Sequence, residues 1–347
     1  MDRLRALVYG TVLLLCAGWV LHVGKAIFVP AVFGAVIVYV VVGLAQAMGR
    51  LPGLGPVLPS RLRYLFSFAV IGAIGVLFAY LLMANKDRAL ALAPQYQQSL
   101  LAAIQGVAVH FGFEAEPTWA TLRRDLLGQI NLQRFFGSLL SSVGSIVVTL
   151  VVVCLYATFL LLERRSFATK LANLSDDPAR VERIRQVIRA INQRIGSYLA
   201  LKTLLSLLLG VLSYLVMRLY GLEFAALWAV LATVLNFVPY VGSVLGVVFP
   251  LLMAIVQFAD PATILSLFLA LSALQFAIGN FLDPYVMGNS LNLSPFAILV
   301  SLAVWSELWG VPGAFLAVPI TAILTIVLSE FPGTRPIAVL LSSNGRL

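Results

Sequence analysis

The 347-residue chain is 61% hydrophobic and only 11% charged, with a mean hydropathy of +1.01. Soluble domains carry about 45–50% apolar and ~25% charged residues, so this composition excludes an ordinary water-soluble fold and points to several membrane-crossing helices. The net charge of +9 fits positive loops that set membrane orientation rather than a nucleic-acid partner. Cys16 and Cys154 lie in apolar runs, and with two histidines they offer neither a disulfide framework nor a metal site. The apolar runs are unbroken rather than alternating, which argues against a β-barrel.

Taken in order, residues 1–84 hold three predicted spans, at about 7–24, 27–48 and 63–84. Arg3 and Arg5 precede the first apolar run as in a signal sequence. No small-x-small cleavage site follows, and Cys16 follows Leu15 rather than a small residue, so a retained first span is expected. Pro30 lies one turn into span 2, and a Pro/Gly-rich loop runs from Arg50 to Arg63. Residues 85–138 differ in composition. Leu90, Leu92, Tyr96, Leu100, Leu101, Ile104 and Val107 recur at helical spacing, and a second short helical pattern starts at Pro117. This reads as a small helical extramembrane insert without a catalytic motif.

Span 4 is predicted over 139–163 and opens with Ser138, Ser141, Ser142, Gly144 and Ser145, small residues that let helices approach closely in lipid. Residues 164–197 form a basic linker. Asp177-Pro178 is a helix start, and Val181, Ile184, Val187, Ile188, Ile191 and Ile195 make an apolar stripe beyond it. Arg180, Arg183, Arg185, Arg189 and Arg194 surround the stripe, which predicts a helix lying on an anionic membrane surface, the plainer alternative being an amphipathic helix packed on other cytoplasmic loops. Span 5 follows at 198–217, with Lys202 placed to reach the interface along its own stem.

Residues 198–330 carry the part that suggests function. Two long apolar runs, Phe224 to Phe258 and Ser294 to Leu328, are each cut near the middle. The first cut spans Asn236, Pro239, Tyr240 and Gly242; the second spans Trp309, Gly310, Pro312 and Gly313. Proline removes a backbone donor and glycine admits left-handed turns, so a helix must stop or kink at each. The leading halves, 224–238 and 295–309, would each reach only ~22 Å against a hydrocarbon core of roughly 30 Å. Broken helices at corresponding places are the pattern of transporter binding sites, because lipid cannot satisfy the freed backbone groups. The plainer reading is a tight interhelical turn, and for Gly242-SVL-Gly246 simple close packing. The cut residues Asn236, Pro239, Tyr240, Gly242, Gly310, Pro312 and Gly313 are thus the candidate substrate contacts.

Ionisable groups within spans are costly and default to functional candidates. Asp283, just before Pro284, and Glu307, one turn before the second cut, are the candidates for ion or proton coupling; Glu223 reads as structural. Their alternatives are a helix-end residue at the headgroups and an interfacial residue beside Trp305 and Trp309. A cytoplasmic N-terminus puts fifteen of the 23 Lys and Arg inside, counting 1–6, 49–63, 164–197 and 331–347, and seven outside. Both termini, the linker and the 331–347 tail are therefore expected in the cytoplasm and the insert outside. The fold expected is an all-α polytopic membrane protein of about eight transmembrane helices, with one hairpin re-entrant.

Asn236-FVPYVGSVLGVVFP, Asp283-PYVMGNSLNLSPF, Trp309-GVPGAFLAVPITAIL and Tyr198-LALKTLLSLLLGVLSYLV together resemble the hallmark runs of the autoinducer-2 exporter (AI-2E) family. The layout of three spans, an insert and five spans matches it too, so the resemblance covers nearly the whole chain. It implies a secondary transporter of the bacterial cytoplasmic membrane, homo-oligomeric, with a pentamer as one form. The family is named for exporting a quorum-sensing furanone, and other members resemble cation/proton antiporters. Ser306-Glu307 stands where the resemblance leads one to expect Gly or an aromatic. Three readings stay open: export of a small polar organic solute, proton-coupled; Na⁺ or Li⁺/H⁺ exchange; and a non-transporting membrane scaffold. No nucleophile–base pair, phosphate loop, cofactor motif or metal cluster is legible, so neither an enzyme nor a cofactor is expected.

Overall fold

The computed structural model describes the backbone of residues 2–50, 58–85, 87–88, 91–92, 132–173, 175–258, 260–287 and 291–345. Most of the expected insert at 85–138 and the middle of the 50–63 loop lie outside the described residues. The helices are α1 (Asp2–Val23), α2 (Lys25–Arg50), α3 (Ser60–Ala84), α4 (Leu132–Ala172) and α5 (Pro178–Leu219). Next come α6 (Ala225–Leu235), α7 (Val241–Gln257), α8 (Pro261–Ala277), a π-helical turn (Ile278–Leu282) and α9 (Asp283–Met287). The chain ends with α10 (Pro295–Trp309), α11 (Val311–Ser329) and α12 (Arg335–Leu341). Among the described residues extended pairing is limited to one isolated antiparallel bridge, Leu293 with Ser342.

This is an all-α polytopic membrane protein, as the apolar runs predict. Among the described residues, five helical stretches are long and apolar enough to cross a bilayer: Lys25–Gln46, Arg61–Ala84, Pro178–Leu219, Pro261–Val286 and Val311–Ser329. Five shorter apolar helices accompany them, including Ala225–Leu235, Val241–Gln257 and Pro295–Trp309 of the two broken hairpins.

Three helices start on a polar cap followed by proline, whose missing N–H costs nothing at that position. Ala179 N–H donates to Asp177 Oδ1 at 2.9 Å, and Ala297 N–H to Ser294 Oγ at 3.1 Å. At α8 the Asp260 carboxylate accepts from the Ala262 and Thr263 N–H groups and from the Thr263 hydroxyl. These bonds favour the ionised carboxylate, first that from the Thr263 hydroxyl, and hold Asp260 below the usual range.

Two expectations need correction. The basic linker and span 5 are one uninterrupted helix, α5, of 42 residues. Nothing between Pro178 and Leu219 breaks a helix, so a change from mixed to wholly apolar composition does not end it. Its apolar stripe is not left for lipid: Val181 and Ile195 are buried, and Ile195 packs with Val40 and Leu44 of α2. A separate helix lying on the membrane surface is therefore not what forms. Nor does Lys202 reach out to the interface; it is only 7% exposed, beside Leu199, Thr203 and Ser206 on the buried side of α5. Span 4 also proves longer than expected, as the 41-residue α4.

The described chain forms two compact units. The first comprises Met1–Ile71, Thr149–Thr203 and Met287–Leu347. Its core brings Val40 and Leu44 together with Tyr198, Leu199, Val318 and Ala322, while Trp305, Trp309, Leu316 and Ala317 make a second cluster against α1 and α2. The second unit comprises Gly72–Val148 and Leu204–Val286. There Met217, Ala225, Ala229, Val247, Ala254, Leu267 and Leu271 form the core.

Candidate functional site

The candidate residues fall into two groups, one in each unit. In the second unit, α6 stops at Leu235, and Asn236 is buried at 7% exposure. An amide of this kind needs a partner, and Asn236 Nδ2 donates to Ser206 Oγ of α5 at 2.9 Å, where Ser206 is itself fully buried. The chain then turns without leaving its donors idle. Phe237 and Val238 N–H groups bond back to Val234 and Leu235, and Gly242 N–H to the Val238 carbonyl. Val241 N–H closes onto the Pro239 carbonyl at 2.6 Å, spanning only Tyr240.

That bond makes a γ-turn. Tyr240 sits at φ 61 and ψ −56, the rarer and more strained of the two γ-turn forms, in a region that side-chain-bearing residues avoid. The ring is 51% exposed, so burial of the aromatic side chain does not account for the turn. Pro239 removes the donor that would have continued α6, and Gly242 lets α7 return against it: a β-carbon at Gly242 would overlap the Leu235 carbonyl oxygen. Freely presented backbone N–H groups, expected at this break, are thus largely absent, because the turn pairs them internally.

Further polar groups line the same unit, among them Gln275, which the sequence marks as a polar neutral partner within a span. A β-carbon at Gly246 would come within 2.7 Å of Gln275 Nε2, so the GxxxG spacing serves close approach to a buried amide. Trp228 stacks on Phe249 at 6.2 Å, and its buried indole Nε1 has no hydrogen-bond partner among the described residues. Only the polar character of Ser206 and Gln275 inside apolar runs hinted at them.

Asp283 occupies the exit of the π-helical turn. Its N–H bonds to the Ile278 carbonyl, five residues back rather than four. Leu267, Leu271, Gln275 and Ile278 form the buried stripe of this span. In an α-helix the stripe would run on to residues 282 and 285. Tyr285 is instead 88% exposed, while Leu282 and Asp283 are both half-buried, and the wider turn brings Asp283 beneath Ile278. Glu223 pairs with Arg88 at 2.5 Å and its N–H donates to Gln257 Oε1, which fits the structural role read for it.

In the first unit the break is tighter. Gly310 takes φ 67 and ψ −143, a conformation essentially reserved for glycine, and it is exposed. Pro312 follows at the start of α11, and a β-carbon at Gly313 would overlap the Trp305 carbonyl oxygen. Two indoles fasten the turn: Trp305 Nε1 donates to Thr321 Oγ1 at 3.1 Å, and Trp309 Nε1 to the Leu21 carbonyl at 2.9 Å. His22 Nδ1 donates to the Leu308 carbonyl at 3.1 Å, joining α1 to the same place. Glu307 lies on the opposite side of α10 from Trp305 and Trp309 and is exposed.

The α5 arginines do not act as one patch. Glu182 pairs with Arg185 at 3.1 Å and also with Arg189, while Arg180, Arg183 and Arg194 are exposed.

The family model described as AI-2E family transporter matches residues 9–333. The chain belongs to the AI-2E transporter family. It is 30% identical to the AI-2 transport protein TqsA of Escherichia coli K12 over 278 residues, 79% of this chain and 78% of TqsA. A candidate transport protein from Borreliella burgdorferi is 36% identical over 197 residues, 56% of this chain and 54% of that protein. YhhT of Escherichia coli K12, also named as a candidate transport protein, is 34% identical over 209 residues, 60% of this chain and 58% of YhhT. The chain thus spans a little over half the length of these last two. AI-2E membership and the apolar helices make it a multi-pass integral membrane protein, and its relatives are described as transport proteins rather than enzymes.

Proposed function

We propose that this AI-2E protein is a secondary transporter of the bacterial cytoplasmic membrane that exports a small polar organic solute, coupled to protons. The observation that carries the reading is Tyr240, a half-exposed aromatic held at positive φ in a membrane-helix break. Strain of that kind costs about 1–3 kcal/mol and persists where the surroundings over-determine it, commonly at ligand sites. Asn236, Pro239, Tyr240 and Gly242 would shape one cargo contact, and Gly310, Pro312 and Gly313 another. AI-2, named for the relative TqsA, is the first solute to test. In this reading both termini are cytoplasmic and the working form is a homo-oligomer. A non-transporting scaffold gives no reason for two glycine-locked breaks.

Proteoliposomes loaded with AI-2 or a panel of small polar metabolites provide the test. Gradient-dependent flux that falls in Tyr240→Ala and Asn236→Ala supports the proposal; no flux of any solute with wild type refutes organic export. One observation favours a second reading, monovalent cation/proton exchange: the placement of Asp283 on the inner stripe by the π-helical turn. That reading requires cation-driven proton movement that disappears in Asp283→Asn. Glu307, exposed on α10, is the weaker coupling candidate, and Glu307→Gln measured beside it separates the two carboxylates.

A further inference from the structure

Within the first unit, the open end of the α10–α11 hairpin holds a cavity of about 360 Å³, a volume suited to a small molecule. It lies at the far end of α11 from the glycine break, ~18 Å along the helix from Gly313 at a 1.5 Å rise per residue. Arg194 of α5, Asn292, Thr325, Ser329, Glu330 and Arg335 line it. The walls are fixed. Asn292 takes φ 48, and Ser343 holds it with a hydroxyl bond to Oδ1 at 2.6 Å and an N–H bond to its carbonyl at 3.2 Å. Ser294 N–H donates to the Leu341 carbonyl at 2.9 Å, so the C-terminal segment straps the 291–294 strip in place.

The charges in this cavity are not spent on one another. The ion pairs among the described residues are Arg88–Glu223, Lys170–Glu163 and the two made by Glu182, none of which involves Arg194, Arg335 or Glu330. Two guanidiniums against one carboxylate leave one net positive charge in the cavity. The hydroxyls lining it are committed as donors to the helix: Thr325 Oγ1 to the Thr321 carbonyl and Ser329 Oγ to that of Ile326. Their oxygens keep lone pairs to accept with, and Glu330 is acceptor-only when ionised. A ligand matching this inventory carries negative charge for the arginines and hydroxyl donors for the rest.

We propose that the cavity is a binding site for a phosphate group bearing a polyol, distinct from the cargo contacts. Arg forks suit phosphate oxygens, and basic pockets between membrane helices take anionic headgroups. Two sources share this chemistry: a glycerol-headgroup phospholipid and a soluble polyol phosphate. The proposal also gives Arg194 a role apart from the other α5 arginines.

The test uses the full-length protein. Purified in detergent, it is titrated with sn-glycerol 3-phosphate, with glycerol as control, following the thermal shift. In parallel, nanodiscs of mixed phosphatidylglycerol and phosphatidylcholine are examined by native mass spectrometry for retained lipid. Arg194→Gln and Arg335→Gln should each weaken binding about tenfold, the scale of one charge-assisted hydrogen bond. Arg180→Gln, on the same helix outside the cavity, should leave it unchanged. Glu330→Gln should tighten it, because a repelling charge is lost while an acceptor remains; general damage to the fold would weaken it instead. A response to glycerol 3-phosphate assigns a soluble ligand, and retention of phosphatidylglycerol alone assigns a lipid. Failure of both probes, wild-type binding by the two arginine variants, or weaker binding by Glu330→Gln overturns the proposal. None of these readouts depends on cargo flux, so the transport reading stands or falls separately.

Discussion

Replacing Tyr240 by glycine and by alanine separates backbone strain from side-chain contact. Both changes delete the same ring, which is 51% exposed, so any packing loss is common to the two and cancels in their difference. What remains is φ 61 at ψ −56, which alanine must still adopt against its β-carbon and glycine adopts freely. The strain relieved is about 1–3 kcal/mol, and glycine gives back roughly 0.5–1 through its more flexible unfolded chain. Tyr240→Gly should therefore be more stable than Tyr240→Ala by about 1 kcal/mol, the reverse of the usual order within helices. Thermal unfolding of the two variants in the same detergent reads the sign, with a melting difference of about 1–2 °C expected for that energy. Flux should fall in both, because both lose the ring. An alanine variant as stable as the glycine one refutes the strain. Undiminished flux in either variant refutes the placing of Tyr240 at the cargo contact.

At the second break, Gly313→Ala should destabilise by about 1–3 kcal/mol, since the new methyl group must displace the Trp305 carbonyl; a detergent unfolding series checks this. Gly310→Ala meets no neighbour, so its cost, also roughly 1–3 kcal/mol, should come from the backbone alone and be absent in a D-alanine substitution by semisynthesis. Asn236→Ala leaves the buried Ser206 hydroxyl without the amide, costing about 1–3 kcal/mol, and a double-mutant cycle with Ser206→Ala should show coupling between them. The Asp260 carboxyl is held low in the folded chain, so its contribution to α8 is complete above the ordinary carboxylate range and is lost as pH falls through the depressed value. Asp260→Asn should accordingly melt below wild type at neutral pH and converge with it in acid.

Where proline and glycine set the chain's course, the sequence was readable. Both hairpin breaks fall at Pro239–Gly242 and Gly310–Gly313, and α5 starts at the Asp177–Pro178 pair. Readings drawn from composition alone did less well. Arginines on α5 suggested a separate surface helix, yet backbone hydrogen bonding is indifferent to that change of side chains and the helix runs on. A place near the start of span 5 points Lys202 to the interface, but the face it shares with Leu199 and Ser206 is buried. The π-helical turn before Asp283 has no breaker to announce it, and a period of 3.6 wrongly places Tyr285 with the buried stripe. The Tyr240 γ-turn was likewise hidden, because nothing local favours positive φ at tyrosine.

The bond from Trp309 to the Leu21 carbonyl joins residues 288 positions apart, and His22 with Leu308 does the same beside it. Ribosomes add about 5–20 residues per second, so α1 leaves the ribosome roughly 15–60 s before its partner hairpin exists. During that interval the first helix of the nascent protein has only lipid and early neighbours to hold it. The latch that closes the first unit is consequently among the last contacts to form in biogenesis, and the insertion machinery must keep α1 available until the chain is nearly complete.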